Sequence, residues 1–522
     1  MNRRRSAFLF VSLILALGAA LPRQHSLTQT PDAALFTPTI PKVWDDAAMA
    51  TLEVPLANPI GSPKHVSADY YYRIPVRPIY KEYPIYAPGY EPPGYMDWLK
   101  RQEPVILWDD KGHRPPLVTR ADWIKAGEMV FEASAQANGV MNVGETTNPE
   151  WWAKIGARTA MDGTLPGYHY TISEKGKVDL GDLSCASCHS RVMPDGTVVK
   201  GAQGTFPFDR NRSLELRAAR ENEPTRKFAG QVELSLFAVP WLKDDVHLRL
   251  AQMPSDEIAA VHDTIPPGVM ARHRASPLYP VQIPDLIGVE DRRYLDRTGL
   301  QQHRSIVDLM RYAALNQGGD DLASYNGFIP ADFPNFKALG DPATAGFVFQ
   351  GRYSDEQLYA LALYVYSLRP PPNPNKFDAT AARGRKVFER EGCAGCHTPP
   401  LYTNNKLTLA EGFTAPPGAA QKYNILPISV GTDPNLALKT RRGTGYYKVP
   451  SLKGVWYRSM FGHSGWCATL EDWFDPRRTR DDYVPTGFRP YGTKGYAVKG
   501  HPFGLDLPRE DKRALIAYLK TL

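Results

Sequence analysis

The feature that most constrains this chain is a five-residue signature that occurs twice. Its copies are Cys185-Ala-Ser-Cys188-His189 and Cys393-Ala-Gly-Cys396-His397. The pattern C-x-x-C-H is typical of c-type haem attachment. Cysteines three positions apart lie on one face of a helical turn, so both thiols can reach one porphyrin, and histidine is a standard proximal iron ligand. We therefore predict two covalently bound haem c groups, attached through the four cysteines, with His189 and His397 as iron ligands.

Two other chemistries use C-x-x-C pairs. A structural zinc site needs four ligands, which usually come from two such pairs close together, whereas these pairs lie far apart in the sequence and each has its own histidine. A redox disulfide does not require a histidine directly after the second cysteine. Haem attachment therefore accounts for the repeated signature best.

The N-terminus has the features of an export signal. Arg3, Arg4 and Arg5 precede an apolar run over residues 7–21, which is too short to span a bilayer comfortably, and small residues at 18–20 suit cleavage. We predict a signal peptide over residues 1–20 and a periplasmic or secreted mature protein without stable membrane insertion. This compartment suits haem c, which is attached outside the cytoplasm.

Charge and the remaining cysteine add two limits. The formal charge is +7, and removal of the three arginines in the leader lowers it to +4. No concentrated basic patch follows, so we expect no nucleic-acid partner. Cys467 is the one cysteine outside the signatures, and we expect it to be a buried apolar residue.

The haem signatures belong to a repeated order of elements. A Gly-x-x-x-Phe pair precedes each signature, at Gly127 and Phe131 within a predicted helix over residues 119–133, and again at Gly384 and Phe388. An amphipathic helix follows each signature, over residues 354–368 and 508–522. A further helix is predicted over residues 305–315. This order indicates an internal duplication of a cytochrome c unit.

The expected fold is mainly α, with two fused cytochrome c-like haem domains, long irregular insertions and little β. Residues 21–115 form a Pro/Tyr-rich segment, read as an extended strap because proline disfavours helices and central strands. The first haem domain is predicted over residues 116–369 and the second over residues 379–522. The Pro-rich stretch between them, residues 370–378, is predicted to be a linker.

Five segments of the second unit carry a family resemblance. They are Gly384–Phe388, Cys393–His397, Val430–Pro434, Tyr447–Gly454 and His463–Asp472. In this order they resemble the C-terminal haem domain of the bacterial di-haem cytochrome c peroxidase superfamily, which includes the MauG type. The enlarged first domain and the Pro/Tyr segment are similar to the rubber oxygenase branch, the RoxA type. The resemblance implies a cytochrome c-like fold and redox chemistry on two haems.

The chain departs from that family at the second haem. The peroxidases hold this haem with a methionine, and the matching position here is Arg477. His501 resembles the distal histidine that the oxygenase branch places near its C-terminus, so we predict it as the sixth iron ligand. A surface loop histidine is the alternative for His501, and His463 is the second candidate, expected to lie near the haem without binding iron.

The first haem lacks an evident second ligand. No histidine occurs between His189 and His247. His169 could reach from the insertion, but a loop histidine is more often structural. The first haem is therefore expected to keep an open or weakly held distal face, and the sequence does not identify a catalytic residue there.

Unequal access to the two irons predicts a division of labour. A haem with two histidine ligands can only pass electrons, whereas an open haem can bind peroxide or dioxygen. The favoured function is a peroxidase-like oxidoreductase that receives electrons from a small redox partner such as a donor cytochrome. A haem-dependent oxygenase acting on an apolar substrate and a pure electron-transfer cytochrome stay open. The sequence also leaves open whether calcium binds between the units.

Overall fold

The computed structural model describes most of the chain beyond the N-terminal segment. The described residues are 34–134, 136–137, 141–218, 230, 232–234, 236–271, 275–318, 322–325 and 351–522. The predicted signal peptide, residues 1–20, lies outside them. No described helix has the length and apolar character needed to span a bilayer.

The predicted fold class is wrong, because the chain is an α/β mix with 34% helix and 14% strand. The α-helices are Asp46–Met49, Ala68–Arg73, Tyr95–Lys100, Arg120–Glu132, Val143–Thr146, Pro149–Ile155, Cys185–Cys188, Phe208–Ala218, Ser255–His262, Ile306–Gly318, Asp355–Ser367, Ala379–Arg390, Ala419–Lys422, Asn435–Leu438, Leu470–Trp473 and Arg509–Lys520. Short 3-10 helices are Pro59–Gly61, Val246–Gln252, Val289–Asp291, Cys393–Gly395 and Pro476–Thr479.

The strands are distributed over six small sheets in the described part of the chain. The four-stranded sheet has the order Glu82–Tyr86, Thr164–Glu174, Lys177–Asp182 and Gln136–Ala137. A three-stranded sheet has the order Ile425–Ser429, Leu407–Leu409 and Tyr446–Lys448. Two-stranded sheets pair Pro63–His65 with Ala323–Tyr325, Ile79–Tyr80 with Ile106–Trp108, Ser190–Val192 with Val198–Lys200, and Val269–Met270 with Val281–Gln282.

Much of the unpredicted strand lies in the insertion before the first signature. Strand Thr164–Glu174 buries Tyr168, Tyr170 and Ile172, which alternate with less buried neighbours as a half-buried strand requires. Leu165 is buried as well, so aliphatic residues and tyrosines carry this alternation equally. The period is that of a strand, and a search for helical periods passes over it. Strand Lys177–Asp182 ends shortly before the first signature, and its last four residues are buried, so the signature begins in the protein interior.

Two helix pairs repeat the same packing. Helix Arg120–Glu132 packs on Asp355–Ser367, and helix Ala379–Arg390 packs on Arg509–Lys520. A Cβ atom on Gly127 would lie 2.0 Å from the Ala360 carbonyl oxygen, and one on Gly384 would lie 1.9 Å from that of Ala514. Only glycine therefore lets either pair of helices come this close. The repeated Gly-x-x-x-Phe spacing marks the same helix contact in both units.

The ends of the predicted helices follow from their caps. The Thr119 side chain accepts from the Asp122 amide, and Ser354 and Gln357 form a reciprocal capping box. The predicted helices over residues 119–133 and 354–368 are confirmed to within one residue at each end. At the C-terminal helix, Pro508 is the N-cap and the helix begins at Arg509.

The Pro/Tyr-rich segment contains more regular structure than an extended strap. Helix Ala68–Arg73 ends before the first proline of the run, Pro75, and strand Glu82–Tyr86 holds Pro84 at the edge of the four-stranded sheet. An edge strand tolerates proline because one of its sides makes no ladder hydrogen bonds. The prolines therefore set the ends of short elements here instead of preventing them. Residues 368–378, which include the predicted linker, form neither helix nor strand.

Candidate functional site

The first signature forms a single helical turn, Cys185–Cys188. The Ser184 side chain caps it by accepting from the Ser187 amide at 2.9 Å and donates to the Gly167 carbonyl at 3.0 Å. The His189 amide donates to the Cys185 carbonyl at 3.0 Å. The turn therefore puts both cysteines on one face, with His189 directly after them, and fixes it to the neighbouring strand.

The turn opens onto a mainly apolar cavity that encloses about 1040 Å³, including its open mouth. Cys185, Cys188 and His189 line it together with apolar residues from several elements. These are Leu183, Met270, Val281, Ile283, Pro284, Leu286, Leu309, Ala313, Leu358, Leu361, Ala362 and Val365. An apolar slot beside two thiols and an imidazole fits a flat porphyrin attached through both cysteines.

His189 is held in the form that binds metal. Burial lowers the pKa of its imidazole to about 4, so the ring is neutral at physiological pH. The Pro284 carbonyl interacts with the ring, and Nδ1 is buried without a well-formed hydrogen bond.

The first cavity also has a polar side. Asp296, Arg297, Tyr312, Asn316 and Arg442 line it. Among the described lining residues, His189 is the one histidine. Met270, which sequence reasoning missed, is the one thioether, and methionine is another haem ligand type.

The second signature has the same local geometry. Cys393–Gly395 form a 3-10 turn, and the His397 amide donates to the Cys393 carbonyl at 2.8 Å. His397 Nδ1 lies 3.1 Å from the Pro450 carbonyl oxygen and 3.2 Å from that of Tyr402, so it donates and leaves Nε2 for a metal. Burial lowers the pKa of this ring as well.

The second cavity is larger, at about 1470 Å³ including its open mouth. Cys393, Cys396 and His397 line it, and so do His463 and His501. Its apolar walls are formed by Phe388, Val430, Leu452, Val455, Phe461, Leu470, Trp473, Phe474, Phe503, Leu515 and Leu519. These residues fit a second porphyrin, with more histidines within reach than in the first cavity.

His501 faces His397 across this cavity. The centroids of the two rings are 6.4 Å apart. An imidazole nitrogen binds a metal at roughly 2.0–2.1 Å, so two imidazoles on opposite sides of one metal have centroids roughly 6 Å apart. Burial, with smaller contributions from His397 and Arg478, lowers the pKa of His501 to about 3. The pair therefore has the separation and the neutral rings that bis-histidine ligation requires.

The backbone fixes His501 in an unusual conformation. Its φ is +44°, a left-handed value that non-glycine residues seldom adopt. Its amide donates to the Val430 carbonyl at 2.6 Å, and the fully buried Arg478 donates to the carbonyls of Gly500 and His501. The strain is held by these contacts, as is common where a side chain must point in one direction.

His463 and Arg477 also have defined positions. His463 stacks on Tyr447 with a centroid distance of 4.0 Å, and its Nδ1 is 3.1 Å from the Ser464 hydroxyl. Its Nε2 is buried without a hydrogen-bond partner, and burial lowers the ring's pKa to about 3. Arg477 is exposed and pairs with Asp475 at 2.7 Å.

Two other predicted positions lie apart from the cavities. His169 Nδ1 lies 3.2 Å from the Glu82 carboxylate, and this histidine is not among the described residues that line the first cavity. Cys467 is fully buried, as expected, and burial raises the pKa of its thiol to about 12. The described residues contain no group of three or more His, Cys, Asp or Glu side chains arranged to hold a bare metal ion.

A small cationic cleft between the two cavities was not predicted. Arg292, Arg297, Lys448 and Arg458 line it together with the single carboxylate of Asp285. The four cationic residues are separated by up to 166 positions in the sequence (292 to 458), so no local pattern could have grouped them. Folding alone brings them together.

Comparison with known proteins adds little beyond this geometry. No protein-family model matches the sequence, and no curated protein matches it. Among solved structures, the hydrazine synthase of Kuenenia stuttgartiensis is similar with a TM-score of 0.28 and 15% identity, over 59% of this chain and 92% of that chain. A MauG-like protein associated with microbial copper homeostasis is similar with a TM-score of 0.21 and 18% identity, over 32% of this chain and 56% of that one.

Proposed function

We propose that the chain is a periplasmic or secreted di-haem c-type cytochrome oxidoreductase. The haem at Cys393 and Cys396 relays electrons, and the haem at Cys185 and Cys188 carries out the reaction. Electrons come from a small redox partner protein. When bound, the haems supply the electron transfer and the oxygen chemistry, and the protein supplies orientation and electrostatics.

The observation that carries this proposal is the contrast in what faces each proximal histidine. His501 lies across the second cavity from His397 at the spacing of a bis-histidine pair. In the first cavity, among the described lining residues, His189 has no second histidine opposite it. A closed second iron suits electron relay, whereas a more open first iron suits binding of peroxide or dioxygen.

The polar side of the first cavity supports peroxide reduction. This reaction consumes two protons and two electrons and forms two waters, so protons must be moved at the site. Burial raises the pKa of Tyr312, which keeps its hydroxyl protonated, and Arg442 supplies a positive charge 4.0 Å from Asp296. With haem bound, the Tyr312 hydroxyl could donate a hydrogen bond to peroxide, and Arg442 could stabilise negative charge there.

The apolar walls of the same cavity favour a second candidate, an oxygenase acting on an apolar organic substrate. Leu309, Leu358, Leu361 and Val365 present a continuous aliphatic surface there. Such a surface binds hydrocarbon by removing it from water. Pure electron transfer is the third candidate, and it requires that neither iron binds an added ligand.

The first experiment counts the haems. The intact mass of the mature protein from a host that attaches haem c should exceed the polypeptide by two haems. Replacement of Cys185 and Cys188 by alanine should remove one haem, as should replacement of Cys393 and Cys396. Cys467→Ala is the matched control and should keep both. Wild-type protein with fewer than two haems contradicts the proposal.

The second experiment separates the three functions. Spectra of the oxidised and half-reduced protein are recorded with carbon monoxide, peroxide and dioxygen. Peroxide turnover with a reduced donor cytochrome supports the peroxidase. A stable dioxygen adduct without peroxide turnover supports the oxygenase. Failure of both haems to bind any added ligand leaves the electron carrier and excludes both enzymes.

A further inference from the structure

The cleft between the two haem cavities has a charge that its protein neighbours do not balance. Arg292, Arg297, Lys448 and Arg458 line this small cleft, with Asp285 as the one acidic residue among the lining residues. Asp285 accepts from the Tyr457 hydroxyl at 2.6 Å and from the Ile287 amide at 2.9 Å. No described carboxylate forms an ion pair with any of the four cations. Buried charge of this kind is costly without a counter-charge.

The arginines have donors left over. The Nε atoms of Arg292, Arg297 and Arg458 are buried and have no hydrogen-bond partner in the described chain. Backbone carbonyls hold two of the three heads in place: Arg292 donates to Ile287 at 2.6 Å, and Arg458 donates to Ser451 at 2.9 Å. Unsatisfied buried donors fixed around one space indicate an acceptor that binds there.

The cleft shares lining residues with both predicted haem cavities. Arg297 lines the cleft, the first cavity and the second cavity. Lys448 and Arg458 line the cleft and the second cavity, and Pro284 lines the cleft and the first cavity. An anion in this cleft can therefore belong to a group that occupies either cavity.

We propose that this cationic cleft binds the propionate carboxylates of both haems, with Arg297 shared between the two. The inference rests on the proposed di-haem function. Haem propionates are carboxylates on an otherwise apolar ring, and arginine binds carboxylates through paired hydrogen bonds. Burial together with repulsion from neighbouring arginines lowers the pKa of Arg297 to about 9 and that of Lys448 well below its usual value. Bound carboxylates relieve both effects.

If Arg297 binds propionates of both haems, its removal should change both reduction potentials, which a purely structural role would not predict. Removal of a cation next to a haem destabilises the reduced, more negative state, so the reduction potential falls. Arg297→Gln should lower the reduction potential of each haem by about 59 mV. For one electron, this shift corresponds to a tenfold change in the equilibrium constant for reduction. Arg458→Gln should lower the potential of the second haem alone, because Arg458 does not line the first cavity.

The test is a spectroscopic redox titration of the holoprotein and its variants, each first confirmed to carry two haems by mass. Arg477→Gln is the control for charge, since Arg477 is exposed and pairs with Asp475; it should move neither potential. Arg297→Lys keeps the positive charge, so its potentials should lie close to those of the wild type. If Arg297→Gln does not acquire both haems, the potential of the second haem is measured in Arg458→Gln instead.

Three results overturn the inference. Potentials that do not move in Arg297→Gln, or a shift in one haem only, exclude a shared propionate site. A wild-type potential that responds to added phosphate or acetate, with the response lost in Arg297→Gln, shows a site for free anions instead. If the wild-type protein carries fewer than two haems, the proposed function itself fails, whereas two haems with unmoved potentials reject this inference alone.

Discussion

The two signatures lie beside helix pairs that are built alike, yet their cavities differ in what faces the proximal histidine. Gly127 and Gly384 make the same close contact with Ala360 and Ala514. In the second cavity His501 faces His397, whereas the described lining of the first cavity offers Met270 and polar side chains. The two units therefore share their helix packing, whereas the residues opposite the two signature histidines differ. The proposed division of labour depends on that divergence.

The largest expected effect comes from His501, the proposed sixth ligand of the second haem iron. His501→Ala should convert the second haem from low spin to high or mixed spin and let it bind carbon monoxide, because its sixth ligand is gone. His463→Ala is the matched control, since it changes a histidine of the same cavity that stacks on Tyr447, and it should leave the spin state unchanged. Absorption spectra measure both changes. An unchanged His501→Ala spectrum removes His501 as a ligand and ends the contrast between the cavities.

The insertions of the first unit predict a pH-dependent stability. His262 lies between Asp209 at 2.8 Å and Glu233 at 3.1 Å. Burial alone would lower its pKa, but the two carboxylates raise it to about 9. Because the pKa of His262 is higher in the folded than in the unfolded chain, where it is about 6.5, its protonation stabilises the fold. The stabilisation is complete below about pH 6.5 and is lost as the pH rises through about 9.

The variant His262→Gln should remove this dependence. Between about pH 6 and about pH 10 the wild type should lose at most about 3 kcal/mol of unfolding free energy more than the variant does. Denaturant unfolding, followed separately through each haem band, measures the difference. His113→Gln, which changes an exposed histidine paired with Asp109, is the control. Equal pH slopes in wild type and variant would reject the role given to this network.

A smaller effect tests whether the two helix pairs are equivalent. Gly127→Ala and Gly384→Ala should each cost about 1–3 kcal/mol, because the new methyl group meets a backbone carbonyl that cannot move away. Each should weaken its own unit more than the other, as followed by unfolding at each haem. Gly395→Ala, where a Cβ meets nothing within 4 Å, should cost little. Similar losses at Gly395 and Gly384 would mean that close packing is not the reason for these glycines.

The smallest expected effect concerns Met270. If the first iron keeps an open face, Met270→Leu should leave the spectrum of the first haem and its carbon monoxide binding unchanged, with a stability change below about 1.5 kcal/mol. Leucine keeps the volume of the side chain and removes the thioether. A change from low spin to high spin on substitution would show that Met270 binds the iron. The two cavities would then be closed alike, and the reaction would need another site.

The sequence predicted correctly those features that depend on residues close together in the chain, such as the starts of helices. Thr119 with Asp122 and Ser354 with Gln357 mark helix starts because caps use residues three positions apart. The strand Thr164–Glu174 was missed because its side chains alternate with a period of two, whereas the prediction followed helical periods. The Pro/Tyr segment was read as wholly extended although its prolines separate short elements. The predicted fold class was therefore wrong because it relied mainly on helical hydrophobic periods, which do not reveal these strands.

The sequence by itself determined the two C-x-x-C-H turns, since Cys185 and Cys188, like Cys393 and Cys396, are joined by one turn of backbone. Only the tertiary structure decided which side chain lies opposite each turn and how charge gathers between them. His397 and His501 are 104 positions apart, and Arg297 and Lys448 are 151 apart. Contacts across such distances depend on how whole elements pack, which no local spacing specifies.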